Sequence, residues 1–229
     1  MSRGNEVLGS RRHIVPSVIA ALALLVTASR AQAYLFLSTA SNASVSASAT
    51  IATNANSLTV VLTNLETNIV TSAQAISGIQ MTLSDTPTSA ALSTASGQLI
   101  DINNGSFVLD AATISHWGAG SSAATVTLET IGTFGAGGTP KNLIIGPAPY
   151  TNTNSGVANF NPYIQNTGTF SLSVPSITDH TMVTAVSFFF GTLPETTLGG
   201  IVTKAPEPMS LVLLGTGVIG LGLMRRRTA

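Results

Sequence analysis

Leu99-Ile100-Asp101-Ile102 and Phe107-Val108-Leu109, joined through Asn103-Asn104-Gly105-Ser106, are the residues that decide the fold class. Both flanks carry the apolar residues of half-buried strands, and Asn-Gly at their centre supplies the two positive-φ residues that a type I′ turn demands. The segment therefore predicts a β-hairpin with its tip at Asn104-Gly105. The same period-two pattern recurs outward from it at 58–62, 79–83, 125–128, 143–145, 170–174 and 182–190. At least two of Phe188, Phe189 and Phe190 should then face a core. Clusters of Gly, Pro and Asn at 135–140, 146–156 and 159–162 separate these runs, and no 3.6-residue period persists between 34 and 205. Segment 40–56 is low in complexity, yet Val45, Ala47, Ala49 and Ile51 alternate and 54–56 offers a turn, so a first hairpin is expected there rather than a stalk. Many short strands punctuated by turns predict a single all-β domain, a sandwich of jelly-roll-like form.

The two ends of the 229-residue chain read differently. Arg3, Arg11 and Arg12 precede an apolar stretch at 14–28, and Ala31-Gln32-Ala33 gives the small-x-small pattern that signal peptidase cuts. Residues 1–33 are thus expected to be a signal peptide, with the mature chain starting at Tyr34. The paired Arg11-Arg12 has a loose twin-arginine look, but no cofactor-binding pattern follows it, so general secretion is the expected route. At the other end Pro206-Glu207-Pro208 is followed by an apolar run at 209–224 and then by Arg225-Arg226-Arg227. Sixteen residues of helix reach about 24 Å against a hydrocarbon core of about 30 Å. Gly215, Gly217, Gly220 and Gly222 each weaken such a helix by roughly 0.5–1 kcal/mol relative to alanine. The arginines should stay cytoplasmic, which leaves the proline pair outside in extended, protease-accessible backbone.

This C-terminal order resembles the PEP-CTERM sorting signal of exported Gram-negative bacterial proteins. Pro206, Glu207 and Pro208 match its tripeptide, 215–223 its glycine-laced helix, and Arg225, Arg226 and Arg227 its basic end. The resemblance implies recognition by an exosortase, a membrane-embedded cysteine transpeptidase, in organisms that make extracellular polysaccharide. It implies transient anchoring in the inner membrane, then delivery to the cell surface or the exopolysaccharide and biofilm matrix. The stretches Asn142-Leu143-Ile144-Ile145-Gly146-Pro147, Asn161-Pro162-Tyr163 and Phe188-Phe189-Phe190-Gly191 resemble a recurring ectodomain type of such proteins, which implies no activity. Leu193-Pro194-Glu195-Thr196-Thr197 resembles a Gram-positive sortase pentapeptide, but threonine replaces its final glycine and the apolar run begins too far away, so it is read as a strand end and loop. The expected partition is a signal peptide at 1–33, a β-sandwich at 34–204 and a sorting signal at 205–229.

The chain is formally neutral, with nine basic and nine acidic residues. Only Lys141 and Lys204 fall between 34 and 205, against Glu66, Asp85, Asp101, Asp110, Glu129, Asp179 and Glu195, so this segment carries −5. A segment without clustered Lys and Arg has no means of gripping phosphates, which excludes nucleic acid as an expected partner. Cysteine is absent, so neither a disulfide framework nor a thiol nucleophile is available, and stability must come from a core. About 170 residues suffice for one.

Candidate chemistry is sparse. His116 and His180 are the histidines of the exported segment, and Asp179 adjoins the second. No Gly-x-Ser-x-Gly or His-Glu-x-x-His occurs, and on a strand neighbours would point to opposite faces, so Asp179 would not orient His180 there; both histidines are read as loop or surface residues. Seven scattered acids give no reason to propose a glycosidase pair. Asp101 to Ser106 looks superficially like a calcium loop, but its glycine comes one position early and a hairpin turn accounts for it. Trp117, Tyr150, Phe160 and Tyr163 lie in or beside Gly/Asn/Pro-rich loops, where partial burial beneath the loops is the commoner arrangement and stacking of exposed rings on sugar faces the alternative. The expectation is a non-enzymatic protein without cofactor or metal, with a structural or interaction role. The alternatives are a carbohydrate-binding module that uses Trp117, Tyr150 and Tyr163 on extracellular polysaccharide, and, more remotely, a surface hydrolase.

Overall fold

Alternating residues form strands here because one face of each sheet finds a core while the other meets solvent. The computed structural model describes residues 32–40, 45–193 and 196–203. Its strands are β1 (Gln32–Ala40), β2 (Val45–Asn54), β3 (Ser57–Asn64), β4 (Ile76–Leu83), β5 (Ala91–Ser96), β6 (Leu99–Asn103), β7 (Ser106–Asp110), β8 (Gly118–Ser122), β9 (Thr125–Glu129), β10 (Ile144–Ile145), β11 (Tyr163–Gln165), β12 (Thr167–Ser173), β13 (Val183–Phe190) and β14 (Thr196–Thr203). Two short 3-10 helices, Ser72–Gln74 and Ser155–Phe160, are the helical elements among the described residues. The described chain is all-β, in two sheets.

One sheet runs β5-β12-β3-β2-β1, and the other runs β13-β4-β10-β11-β6-β7 with β9 also on β4 and β8 on β9. β14 connects them, pairing antiparallel with β1 through Leu35↔Thr203 and with β13 through Phe188↔Leu198. Each of the eight runs expected from alternation lies in or overlaps a strand. The low-complexity segment is β2, whose Val45, Ala47, Ala49 and Ile51 are buried while the serines and threonines between them face outward. Its hairpin with β3 turns at Asn56, which takes φ of 59° and accepts the Ser176 N–H on its side-chain oxygen.

Among the described residues, most of the buried apolar side chains form one core to which both sheets contribute. β2, β3 and β12 supply Ile51, Val60 and Phe170 from one side, while β4, β9 and β13 supply Met81, Leu128 and Phe188 from the other. Phe188 and Phe190 are fully buried and Phe189 is not, as the strand period requires. A buried aromatic or large aliphatic side chain contributes about 1.5–3 kcal/mol, so this cluster dominates stability.

A second, smaller core lies on the other face of β6, β10 and β11. Ile100, Ile102, Leu143, Ile145 and Tyr163 enter it, while Leu99, Ile144 and Ile164 enter the first. These strands are buried on both faces. That explains why Leu143-Ile144-Ile145 is a continuous apolar run rather than an alternating one.

In the β6–β7 hairpin Asn104 and Gly105 take φ of 48° and 79°, and Asn103 pairs with Ser106. A type I′ connection of this kind matches the right-handed twist of the flanking strands. A side chain at Gly105 would adopt the left-handed conformation and stand 3.2 Å from Thr151. The calcium-loop resemblance thus resolves as a plain turn.

Candidate functional site

The loop aromatics are not where sugar stacking needs them. Trp117, Tyr150 and Tyr163 are 5%, 1% and 0% exposed, and Phe160 packs partly buried against the second core. Of the two readings of these rings, burial beneath the loops is the one their exposure matches. Each has an apolar body to bury and one polar atom that finds a backbone carbonyl inside, which is how tyrosine and tryptophan enter a core. Trp117 Nε1 donates to the Asn142 carbonyl at 2.7 Å, Tyr150 Oη to Gly146 at 2.8 Å and Tyr163 Oη to Val157 at 2.8 Å. Burial pushes both phenols above their ordinary range, and a hydrogen bond with the Gln165 side chain pulls Tyr150 partly back. The Trp117 ring lies 4.5 Å, centroid to centroid, from Phe170 in the first core.

What holds residues 140–162 over these rings is a set of asparagine amides that imitate backbone. Asn142, 2% exposed and at φ of 56°, accepts the N–H groups of Ser115 at 3.0 Å and His116 at 3.3 Å on Oδ1, while its Nδ2 donates to Pro162 at 3.3 Å. Asn161 continues the ladder of β6 with its side chain: Oδ1 accepts from Ile102 N–H and Nδ2 donates to the Ile102 carbonyl, at 3.0 and 2.9 Å. Asn64, fully buried, donates to the carbonyls of Gln74 and Ile144 and accepts from Glu66 N–H. Asparagine can do this because its amide carries both a donor and an acceptor and it tolerates the left-handed region.

The histidines stand on different loops. Thr178, Asp179 and His180 form a turn rather than a strand, as a loop histidine requires, so the opposite-face rule does not apply and Asp179 and His180 approach, Nε2 to Oδ1 at 3.7 Å. The His180 side chain is nevertheless 78% exposed. Thr181 fixes the turn, accepting from Thr178 N–H and donating to the Asp85 carboxylate. His116 Nδ1 lies 3.3 Å from Ser115 Oγ. Glu129 is buried and accepts Phe134 N–H at 2.9 Å, which anchors the loop after β9. Among the described residues, no group of three His, Cys, Asp or Glu stands close enough to hold a metal.

An open hollow of about 460 Å³ lies at the β6–β7 hairpin, with Phe107, Asn103 and Asp101 on one side and Ala158 and Asn161 on the other. Next to it β7 exposes three consecutive apolar residues: Phe107 at 40%, Val108 at 64% and Leu109 at 67%. Sequence reading found this strand but not its exposure. Its three unbroken apolar residues look like those of 143–145, which two cores cover.

Ala33 is exposed in β1 and pairs with Ala52, so β1 starts just ahead of the expected cut. Ala31, Pro206, Glu207, Pro208, Arg225, Arg226 and Arg227 lie outside the described residues, as do most of the expected signal peptide and the apolar run at 209–224. No helix among the described residues is long and apolar enough to cross a membrane. No protein-family model, curated protein or solved structure matches this chain.

Proposed function

We propose that this is an exported protein, trimmed after Ala33 by signal peptidase and processed near Pro206-Glu207-Pro208 by an exosortase. The product is a non-enzymatic, jelly-roll-like sandwich with a structural or interaction role at the cell surface or in the exopolysaccharide matrix. One observation carries the reading: proline pair, glycine-laced apolar run and arginine cluster follow in fixed order at one end of a chain whose other end has the three parts of a secretory signal. An all-β body with one core common to two sheets supports the architecture. The last strand also ends at Thr203, three residues before Pro206, and its partner β1 passes through the expected signal cut. Both processing points would border one end of one strand pair, leaving a product with almost no loose tail.

Mass spectrometry of the surface or secreted form tests this directly. The mature protein should begin at Tyr34 and lack 209–229. Recovery of peptides from 215–224 in that form would identify an ordinary membrane anchor and overturn the sorting assignment. Burial of Trp117, Tyr150 and Tyr163 favours the structural or interaction reading over a carbohydrate-binding one.

A further inference from the structure

The strand left open at the hairpin fits a second copy of itself. β7 is terminal in its sheet, with β6 as its neighbour. With Asn103 and Ser106 flanking a two-residue turn, hydrogen-bonded pairs alternate from there: Asp101↔Val108 exchange bonds, whereas Ile102↔Phe107 and Ile100↔Leu109 do not. The backbone N–H and C=O of Phe107 and Leu109 therefore point away from β6.

Sheet edges are usually guarded by lysine, proline, an inward charge or a bulge. β5, the edge of the other sheet, is mostly Ala, Ser and Thr and has a register shift opposite Ser171 and Leu172. Residues 106–110 have neither lysine nor proline, and their pairing with β6 is regular throughout. Their order, Ser106-Phe107-Val108-Leu109-Asp110, is polar-apolar-apolar-apolar-polar and reads the same way in both directions.

We propose that the chain associates as a two-fold dimer through β7, antiparallel and centred on Val108. In that register Phe107 meets the partner's Leu109 and Leu109 meets the partner's Phe107, both as hydrogen-bonded pairs, so the outward groups exchange four backbone bonds. Val108 faces the partner's Val108, and Ser106 faces the partner's Asp110 as hydroxyl to carboxylate. Apolar side chains become covered on both faces. Asp101 and the partner's Asp101 fall in the same cross-strand row, but three strand spacings hold them about 14 Å apart, beyond the roughly 8 Å screening length at physiological salt. Because the contact is isologous it closes at two copies and does not propagate. This inference stands independently of the export reading.

The chain contains no cysteine, which makes the register directly testable. A non-hydrogen-bonded antiparallel pair sets Cα atoms about 4.5 Å apart, within the span of a disulfide. The full-length chain in a non-ionic detergent should, as Val108→Cys, form a disulfide-linked dimer at least tenfold faster than as Thr94→Cys on the β5 edge. Adding Leu109→Pro removes an N–H that β6 does not use and should abolish this advantage with the melting temperature nearly unchanged. Leu109→Lys, which keeps the backbone donor, should act in the same direction and covers the case in which proline disturbs the fold. Equal cross-linking at 94 and 108, as tail-driven association would give, overturns the proposal. So does rapid cross-linking at 108 that survives both Leu109 variants.

Discussion

In the core common to both sheets, strands supply every other residue and the backbone ladder does the rest; in the core beneath 140–162, strand residues meet side chains carried by loops, and there asparagine amides take the ladder's place. Val45, Ala47, Ala49 and Ile51 need only the strand period to reach the first core. Tyr150 and Val157 reach the second through a loop and a 3-10 turn whose path is held by Asn142 and Asn161. The difference teaches that burial by alternation tolerates change at any one polar position, whereas burial under a clamped loop concentrates its dependence on a few amides.

The sharpest test of that contrast is a pair of truncations. Phe188→Ala should cost about 3–5 kcal/mol by opening a cavity in the first core, measured by urea unfolding. The loss should be cooperative over the whole described region, since Phe188 packs where both sheets meet. A partial transition confined to near-ultraviolet tyrosine signals would mean that the two cores exchange roles.

Asn142→Ala comes next in size. It strands the Ser115 and His116 N–H groups, which costs about 1–3 kcal/mol, and leaves at positive φ an alanine, which lacks the polar side chain that lets asparagine visit that region, for roughly 1 kcal/mol more. Asn142→Gly should recover the backbone part and none of the clamp. Hydrogen exchange at 115–117 and 142–163 reads the result. Equal stability of the Ala and Gly variants would break the claim that the conformation matters, and protection unchanged in both would break the clamp.

The smallest expected effect is Tyr163→Phe, which loses one buried bond to Val157 worth about 1 kcal/mol at neutral pH. It carries a pH signature. Burial raises the folded-state pKa of Tyr163 above the ordinary phenol value near 10. The stability supplied by the neutral phenol is therefore complete below about pH 10 and falls as pH climbs toward the folded value. Wild type should weaken in alkaline urea melts more steeply than Tyr163→Phe, so their difference shrinks or reverses. Parallel pH profiles would show that the phenol is solvated.

The first core was largely legible in the sequence, because it depends on period two and on Asn-Gly, signals that survive without tertiary context. The strands that escaped notice have physical reasons. β5 is an exposed edge, so Ala91-Leu92-Ser93-Thr94-Ala95-Ser96 has no apolar alternation to show. β8 is Gly-Ala-Gly-Ser-Ser because the Phe134 ring lies against it, within 2.0 Å of where a Cβ at Gly120 would stand. β11 is too short for a period, and β14 begins inside a pentapeptide read as strand end and loop. The aromatic residues are visible in the sequence, but Asn142 and Asn161 clamp their loop to the backbone of Ser115, His116 and Ile102 far along the chain, and two asparagines among loop residues carry no local mark of that role. The residues of the proposed sorting signal lie outside the described structure, so for them the sequence remains the carrier.

The pairing of β1 with β14 also bears on time. Leu35 and Thr203 are joined across nearly the whole described chain, and β3 with β12 and β4 with β13 are similarly distant in sequence. Contacts of such long range close slowly, because chain entropy is spent before they reward it. β1 therefore keeps one open edge until β14, the last described strand, has been made, and both sheets stay unfinished until then.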